Sequence, residues 1–170
     1  MKPFTLTRRR FGGLAAAGLF LPESALAKAL REITWDDLIP PGVPYSEIVG
    51  EGNLDAVNDT WNPIFDQNGS KMNTKLDGQR IRMPGYMIPL ESGSSGISEF
   101  ILVPYVGACI HVPPPPPNQL VFVTSATPWP RDQLWEAIWV TGTMSVKMQY
   151  TSLGDIGYEV AADSLEPYEW

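Results

Sequence analysis

The sequence predicts a mainly β protein: a small five-stranded antiparallel barrel, similar to the oligonucleotide/oligosaccharide-binding (OB) barrel, with a short, partly helical N-terminal extension. From Leu76 onward, apolar and polar residues alternate over several segments, as half-buried strands require. The first and fourth of these segments contain Gly85 and Gly142, and glycine allows the tight coiling that closure of a small barrel demands. The expected organisation is an export signal over residues 1–27, an extension over 28–75 and a barrel domain over 76–170.

The N-terminus matches a twin-arginine export signal. Residues 7–11 read Thr-Arg-Arg-Arg-Phe, and the apolar run from Gly12 to Leu21 is too short to span a bilayer. The small residues Ala25 and Ala27 then form a signal-peptidase site, so the mature chain is expected to begin at Lys28. We therefore expect a periplasmic protein with no direct membrane insertion after signal cleavage, rather than one held by an N-terminal anchor.

The charge of the mature chain limits its partners. Cleavage removes four basic residues and one acidic residue, which leaves 8 basic and 18 acidic residues and a net charge of −10. Such a chain has no electrostatic attraction for nucleic acid or for an anionic membrane surface. Cations, basic surfaces and neutral molecules are the expected partners, and no nucleic acid is.

The extension carries few apolar residues and is expected to wrap over the barrel. Thr34 is a candidate N-cap for a short helical turn over Trp35–Ile39, which the prolines after it would end. Residues Asp66–Ser70 have the composition of a turn. Helical spacing recurs at Leu54, Val57, Trp61 and Ile64, although Pro63 limits any helix to the residues before it.

Five strands are predicted in the barrel domain. They cover Gln79–Leu90, Phe100–Val112 with an irregularity at Pro104, Leu120–Thr124, Ala137–Tyr150 and Gly157–Ala162. In the first strand, Ile81, Met83 and Met87 lie on one face because successive side chains alternate. Residues 125–132 are expected to be a connection, with a helical turn over residues 131–136.

The sole cysteine and the sole histidine, Cys109 and His111, are two residues apart. On a strand they would project from the same face, side by side. A single cysteine cannot close a disulfide within the chain, so Cys109 is a metal ligand, a reactive thiol, a buried apolar residue or half of an intermolecular bridge.

Three interpretations of this pair remain open. Thiolate and imidazole bind Zn²⁺ or Cu⁺, and further donors would have to come from Met83, Met87, a carboxylate or a second subunit. In a thiol-dependent enzyme, His111 would lower the pKa of Cys109, although the rest of a catalytic constellation is not recognisable. In the third interpretation Cys109 is a small core residue and His111 binds a backbone carbonyl.

Five prolines and two amides follow this pair. The prolines are Pro113, Pro114, Pro115, Pro116 and Pro117, and the amides are Asn118 and Gln119. A polyproline segment can be a docking surface of low conformational entropy for a partner, or a stiff loop that fixes the end of a strand. In the second case the two amide side chains would satisfy polar groups of the loop.

Several of these segments together resemble family 3299 of the domains of unknown function. The resemblance is carried by Ile33–Pro40, by Leu76–Leu90 with its Pro-Gly-Tyr centre, by Phe100–Gln119 and by Trp139–Thr143. The family consists of exported bacterial proteins without an established activity, some of them associated with transporter systems that respond to metal supply. The resemblance implies a periplasmic binding or accessory protein in transition-metal homeostasis, or a non-catalytic subunit that docks on a membrane transport complex through the polyproline loop.

Overall fold

A computed structural model describes residues 29–55, 60–93, 96–107, 114–130, 137–151 and 154–169. Strands account for most of these residues. The strands are β1 (Arg31–Glu32), β2 (Ile48–Asp55), β3 (Thr60–Phe65), β4 (Arg80–Gly93), β5 (Gly96–Val103), β6 (Val121–Trp129), β7 (Ala137–Thr151) and β8 (Gly154–Pro167). Three short 3₁₀ helices cover Trp35–Leu38, Thr74–Leu76 and Pro117–Gln119.

Strands β4 to β8 form a closed five-stranded barrel, which confirms the predicted OB-like fold. The order around the barrel is β4-β5-β6-β8-β7, and β4 pairs with β7 to close the ring. One feature differs from the prediction: β6 and β8 run parallel, so the barrel is mixed rather than antiparallel throughout. Five is an odd number, and a closed ring of five strands therefore cannot alternate in direction at every pair.

The alternation along β4 and β7 places the predicted face inside the barrel. Ile81 and Met83 from β4 and Val140 and Met144 from β7 are fully buried in one apolar cluster. Gly142 lies among them at a bulge, and β8 passes so close that a Cβ atom at this position would lie 2.2 Å from the carbonyl oxygen of Ala161. The glycine therefore permits the close approach of two strands that the tight barrel requires.

The predicted helix near residue 54 is wrong. Strands β2 and β3 pair as an antiparallel hairpin, with Leu54 opposite Trp61 and Asn53 opposite Asn62. The register shifts around Gly50, and Gly52 has a φ of +64°, so β2 is an irregular, bulged strand. Its sequence therefore lacks the regular alternation of apolar and polar residues that is expected of a hairpin strand. Pro63 is tolerated because β3 pairs with β2 alone.

Two strand boundaries also differ from the prediction. β5 ends at Val103, and residues 104–107 form a bend and turn that includes Gly107 at a φ of +80°. β6 continues through Pro128 to Trp129, where a connection was expected. β6 pairs with β8 only as far as Ser125. Pro128 lies beyond this pairing, so its missing N–H costs no hydrogen bond to β8.

The extension is fastened to the barrel by apolar burial and by one buried tyrosine. Ile33 and Leu38 belong to the same apolar cluster as the barrel interior. The hydroxyl of Tyr158, on β8, donates to the carbonyl oxygen of Leu38 and accepts a 2.6 Å hydrogen bond from the backbone N–H of Asn73. The predicted turn at Trp35 is confirmed as a 3₁₀ helix with Thr34 at its N-cap.

Several predictions lie outside the described residues. These are the signal peptide over residues 1–27 with the new terminus at Lys28, the positions of Cys109, His111 and Pro113, and the helical turn over residues 131–136. Within the described ranges, none of the helices has the length and apolar character needed to cross a membrane.

Candidate functional site

The described part of the polyproline segment is partly buried. Pro115 is buried, while Pro114, Pro116 and Pro117 are half-buried. Pro117 begins the last 3₁₀ helix, and its carbonyl accepts a hydrogen bond from the backbone N–H of Leu120 just before β6. Residues 114–117 are therefore packed against the protein.

Asn118 and Gln119 were predicted as part of the binding loop. Their buried side chains fasten this loop to the extension. The Asn118 side-chain amide donates to the carbonyl oxygens of Asn68 at 2.9 Å and Lys71 at 3.2 Å. The amide of Gln119 donates to the carbonyl of Trp35 at 3.0 Å. Only 1% of Asn118 and 3% of Gln119 is exposed, so these two amides hold the proline loop against the extension instead of facing a partner.

Two clefts meet at the proline loop, and we call them together the proline surface. The first has a volume of about 490 Å³ and is lined by Ser46, Glu47, Ile48, Phe65, Tyr105 and Pro114–Pro116. The second, of about 510 Å³, extends from β3 to the β7–β8 connection, and its lining includes Pro63, Asp66, Leu120, Thr151 and Asp155. Phe65, Pro114 and Pro115 line both clefts, so the two form one continuous surface.

Large apolar side chains are exposed in and beside the proline surface. Tyr105 is 41% exposed and Ile48 is 43% exposed, and both line the first cleft. Val49 and Val106, the residues that follow them in the chain, are exposed still further. Exposed apolar side chains grouped at a cleft, as Ile48 and Tyr105 are, are typical of an interaction site.

The charged residues that line the two clefts are all acidic. Glu47 lines the first cleft, and Asp66 and Asp155 line the second, while no described lining residue is a lysine or arginine. A hydrogen bond from the Ser46 hydroxyl, supported by hydrogen bonds from Asn68, holds the pKa of the Asp66 carboxyl below its ordinary value. Asp66 therefore stays ionised at neutral pH.

The structure describes two of the four candidate metal ligands. Met83 and Met87 are buried among the apolar side chains of the barrel interior, at 0% and 6% exposure. Cys109 and His111 lie in the segment between Gly107 and Pro114, outside the described residues. Elsewhere in the chain as described, no three His, Cys, Asp or Glu side chains are grouped closely enough to hold a metal ion.

The hairpin is the part of this site that sequence reasoning missed. Ile48 on β2 and Phe65 on β3 form a wall of the first cleft, but the residues between them were expected to contain a helix. A usable signal was present in the pair Phe65-Asp66, since an aromatic residue before an Asp-Gln-Asn-Gly turn is typical of a strand end.

Comparison with known proteins identifies the family. The family described as "Protein of unknown function (DUF3299)" matches residues 35–167, which is most of the chain. The protein belongs to the DUF3299 family. A crystal structure of a DUF3299 family protein from Pseudomonas aeruginosa PAO1 is 37% identical, with a TM-score of 0.68, and the match covers 84% of this chain and 98% of that one. No match was found among curated proteins. The DUF3299 assignment includes the barrel, the proline loop and the β2–β3 hairpin, so the proline surface lies within the family region.

Proposed function

We propose that this DUF3299 protein is a non-catalytic, periplasmic accessory protein that docks on a membrane transport complex through the proline surface. The observation that carries the proposal is that two exposed apolar side chains, Ile48 and Tyr105, line one cleft together with Pro114–Pro116. The side-chain amides of Asn118 and Gln119 fasten the proline segment to the extension. A partner therefore binds this segment without a large loss of conformational entropy.

The interior of the barrel, as far as the structure describes it, is packed with side chains. Its centre is filled by one apolar cluster that includes Phe100, Met83 and Tyr158, all fully buried. This packing favours recognition at the outer surface around the prolines over binding inside the barrel.

Photo-crosslinking in the native host tests the docking proposal. A photoreactive phenylalanine analogue replaces Tyr105 or Ile48 in the full-length chain, and crosslinked products are identified by mass spectrometry. We expect both positions to capture the same component of an inner-membrane transport complex, because both side chains line one cleft.

The matched control places the same analogue at Leu30, which is 53% exposed and lines neither cleft. This position is expected to give no such product. A product shared equally by all three positions, or one found at Leu30 alone, contradicts the proposal.

A metal site at Cys109 and His111 is a second candidate function. It is favoured by one observation: Tyr105 and Pro114, which precede and follow this segment, line the same cleft as the carboxylate of Glu47. A site with thiolate, imidazole and carboxylate donors suits Zn²⁺, whereas thioether donors from Met83 or Met87 would suit copper.

Elemental analysis of the protein purified from its native compartment tests the metal proposal. We expect stoichiometric zinc that is lost in Cys109→Ser and His111→Ala, since so small a donor set cannot spare a ligand. Occupancy should fall as pH falls, because protons compete for thiolate and imidazole.

Met83→Leu and Met87→Leu are the matched variants, and both should retain zinc because their side chains lie in the barrel interior. If the wild-type protein carries copper and either variant loses it, the methionines are metal ligands instead. A wild-type protein without stoichiometric metal after reconstitution under reducing conditions ends the metal proposal.

A further inference from the structure

We infer that the occupant of the proline surface is an extended, basic and apolar segment of the partner protein, in which apolar side chains contact the clefts and Lys or Arg side chains reach their acidic rims. This inference rests on the proposed docking function and specifies its partner. It follows from the charge, the shape and the rigidity of the surface.

Charge selects a basic partner. Each cleft has acidic lining residues, Glu47 in one and Asp66 and Asp155 in the other, and no described lining residue is basic. The mature chain is strongly acidic as a whole, so an approaching cationic segment is attracted at long range as well as at the surface.

Shape selects an extended segment. Phe65, Pro114 and Pro115 line both clefts, so a ligand that occupies both contacts these three residues. A chain in extended conformation presents side chains alternately and can place apolar groups in both clefts.

The carboxylates are positioned to serve this role. Asp66 is held in a turn by hydrogen bonds from the Ser46 hydroxyl at 2.8 Å and from the Asn68 N–H at 2.9 Å. Glu47 and Asp155 are exposed, which leaves them accessible to the head group of a lysine or arginine. The same negative charge disfavours a second copy of this chain as the occupant, since two acidic surfaces would face each other.

Fluorescence anisotropy with synthetic peptides tests the inference on the mature protein. The probe is a fluorescein-labelled peptide that alternates lysine with leucine and phenylalanine, and the control peptide carries glutamate in place of lysine. We expect binding of the lysine peptide only, weakened by added salt because the rim contacts are exposed.

Glu47→Gln and Asp155→Asn should each weaken binding about twofold to fivefold. Tyr105→Ala should weaken it about tenfold, because an aromatic anchor is lost.

Two controls match these variants. Glu169→Gln removes an exposed carboxylate and Leu30→Ala an exposed apolar side chain, each outside both clefts, and neither should change the affinity. Equal affinity for the two peptides, no binding of the lysine peptide, or equal effects of Glu47→Gln and Glu169→Gln overturns the inference. So does a crosslink from Tyr105 to a second copy of this chain. If crosslinking from Tyr105 captures a transport component while the lysine peptide does not bind, the docking function stands and only the partner chemistry fails.

Discussion

Replacing Gly142 with valine is expected to destabilise the barrel by about 3 kcal/mol or more. A Cβ atom at Gly142 would lie 2.2 Å from the Ala161 carbonyl oxygen and 2.8 Å from the Cα atom of Ala162. Both atoms belong to the backbone of β8, which is paired on its other side with β6, so β8 cannot retreat without opening the ring. The measurement is the midpoint of urea unfolding followed by tryptophan fluorescence.

Thr143→Val is the matched control. Thr143 is the next residue of β7, its side chain is exposed, and it is already β-branched. This variant should change the free energy of unfolding by no more than about 0.5 kcal/mol. Equal unfolding midpoints for Gly142→Val and the wild type would show that the strands do not approach as closely as described.

Tyr158→Phe is expected to lower the free energy of unfolding by about 2 kcal/mol at neutral pH. The substitution preserves the buried ring but leaves the carbonyl of Leu38 and the N–H of Asn73 without the hydroxyl that joins them. The N–H of Asn73 keeps only a 3.3 Å contact with the Leu38 carbonyl. Urea unfolding of the two proteins side by side measures the loss.

The same comparison at alkaline pH isolates the titration of this hydroxyl. Burial raises the pKa of Tyr158 from 10.0 to about 12, so the protonated form stabilises the folded state. That stability is fully present below pH 10.0 and is lost as pH rises toward about 12, at about 1.4 kcal/mol per pH unit. The wild-type advantage over Tyr158→Phe should therefore shrink across this range, whereas a constant difference would contradict burial of an un-ionised hydroxyl. Other titrating groups, including the tyrosine at position 45, are common to both proteins and cancel.

The barrel was predictable because its strands carry regular local signals. Ile81 and Met83 on β4 and Ile138 and Val140 on β7 alternate with residues that lie outside the cluster, and this period of two is a property of each strand alone. The parallel pairing of β6 with β8 has no local signal. It follows only from closing an odd number of strands.

The hairpin was missed for a different reason: its one usable signal, Phe65 before the Asp-Gln-Asn-Gly turn, indicates the end of a strand but not the pairing of that strand with β2. The bulges of β2 near Gly50 and Gly52 interrupt its alternation, and the chance spacing of its apolar residues imitates a helix. What decides between the two is tertiary: Phe65 packs at the clefts beside Pro114 and Pro115, far along the chain. Such a contact is not encoded within a short window of sequence.

The roles of the two amides in the candidate site depend on contacts that the sequence does not show. Asn118 and Gln119 donate hydrogen bonds to carbonyl groups of Asn68, Lys71 and Trp35 in the extension. Backbone carbonyls carry no residue-specific signature, so no pattern in the chain could pair them with these amides. Asn118 and Gln119, which were predicted as part of a binding loop, fasten that loop to the extension.

Ring closure through β4 and β7 has a consequence for the order of events in the cell. Until β7 and β8 have been synthesised, β4 and β6 each present an unpaired edge that can join another chain. The long separation between these partners along the sequence also makes the final pairing a slow step of folding. Twin-arginine transport carries folded proteins, so if the predicted export signal directs this chain to that route, the ring is completed in the cytoplasm before the protein crosses the membrane.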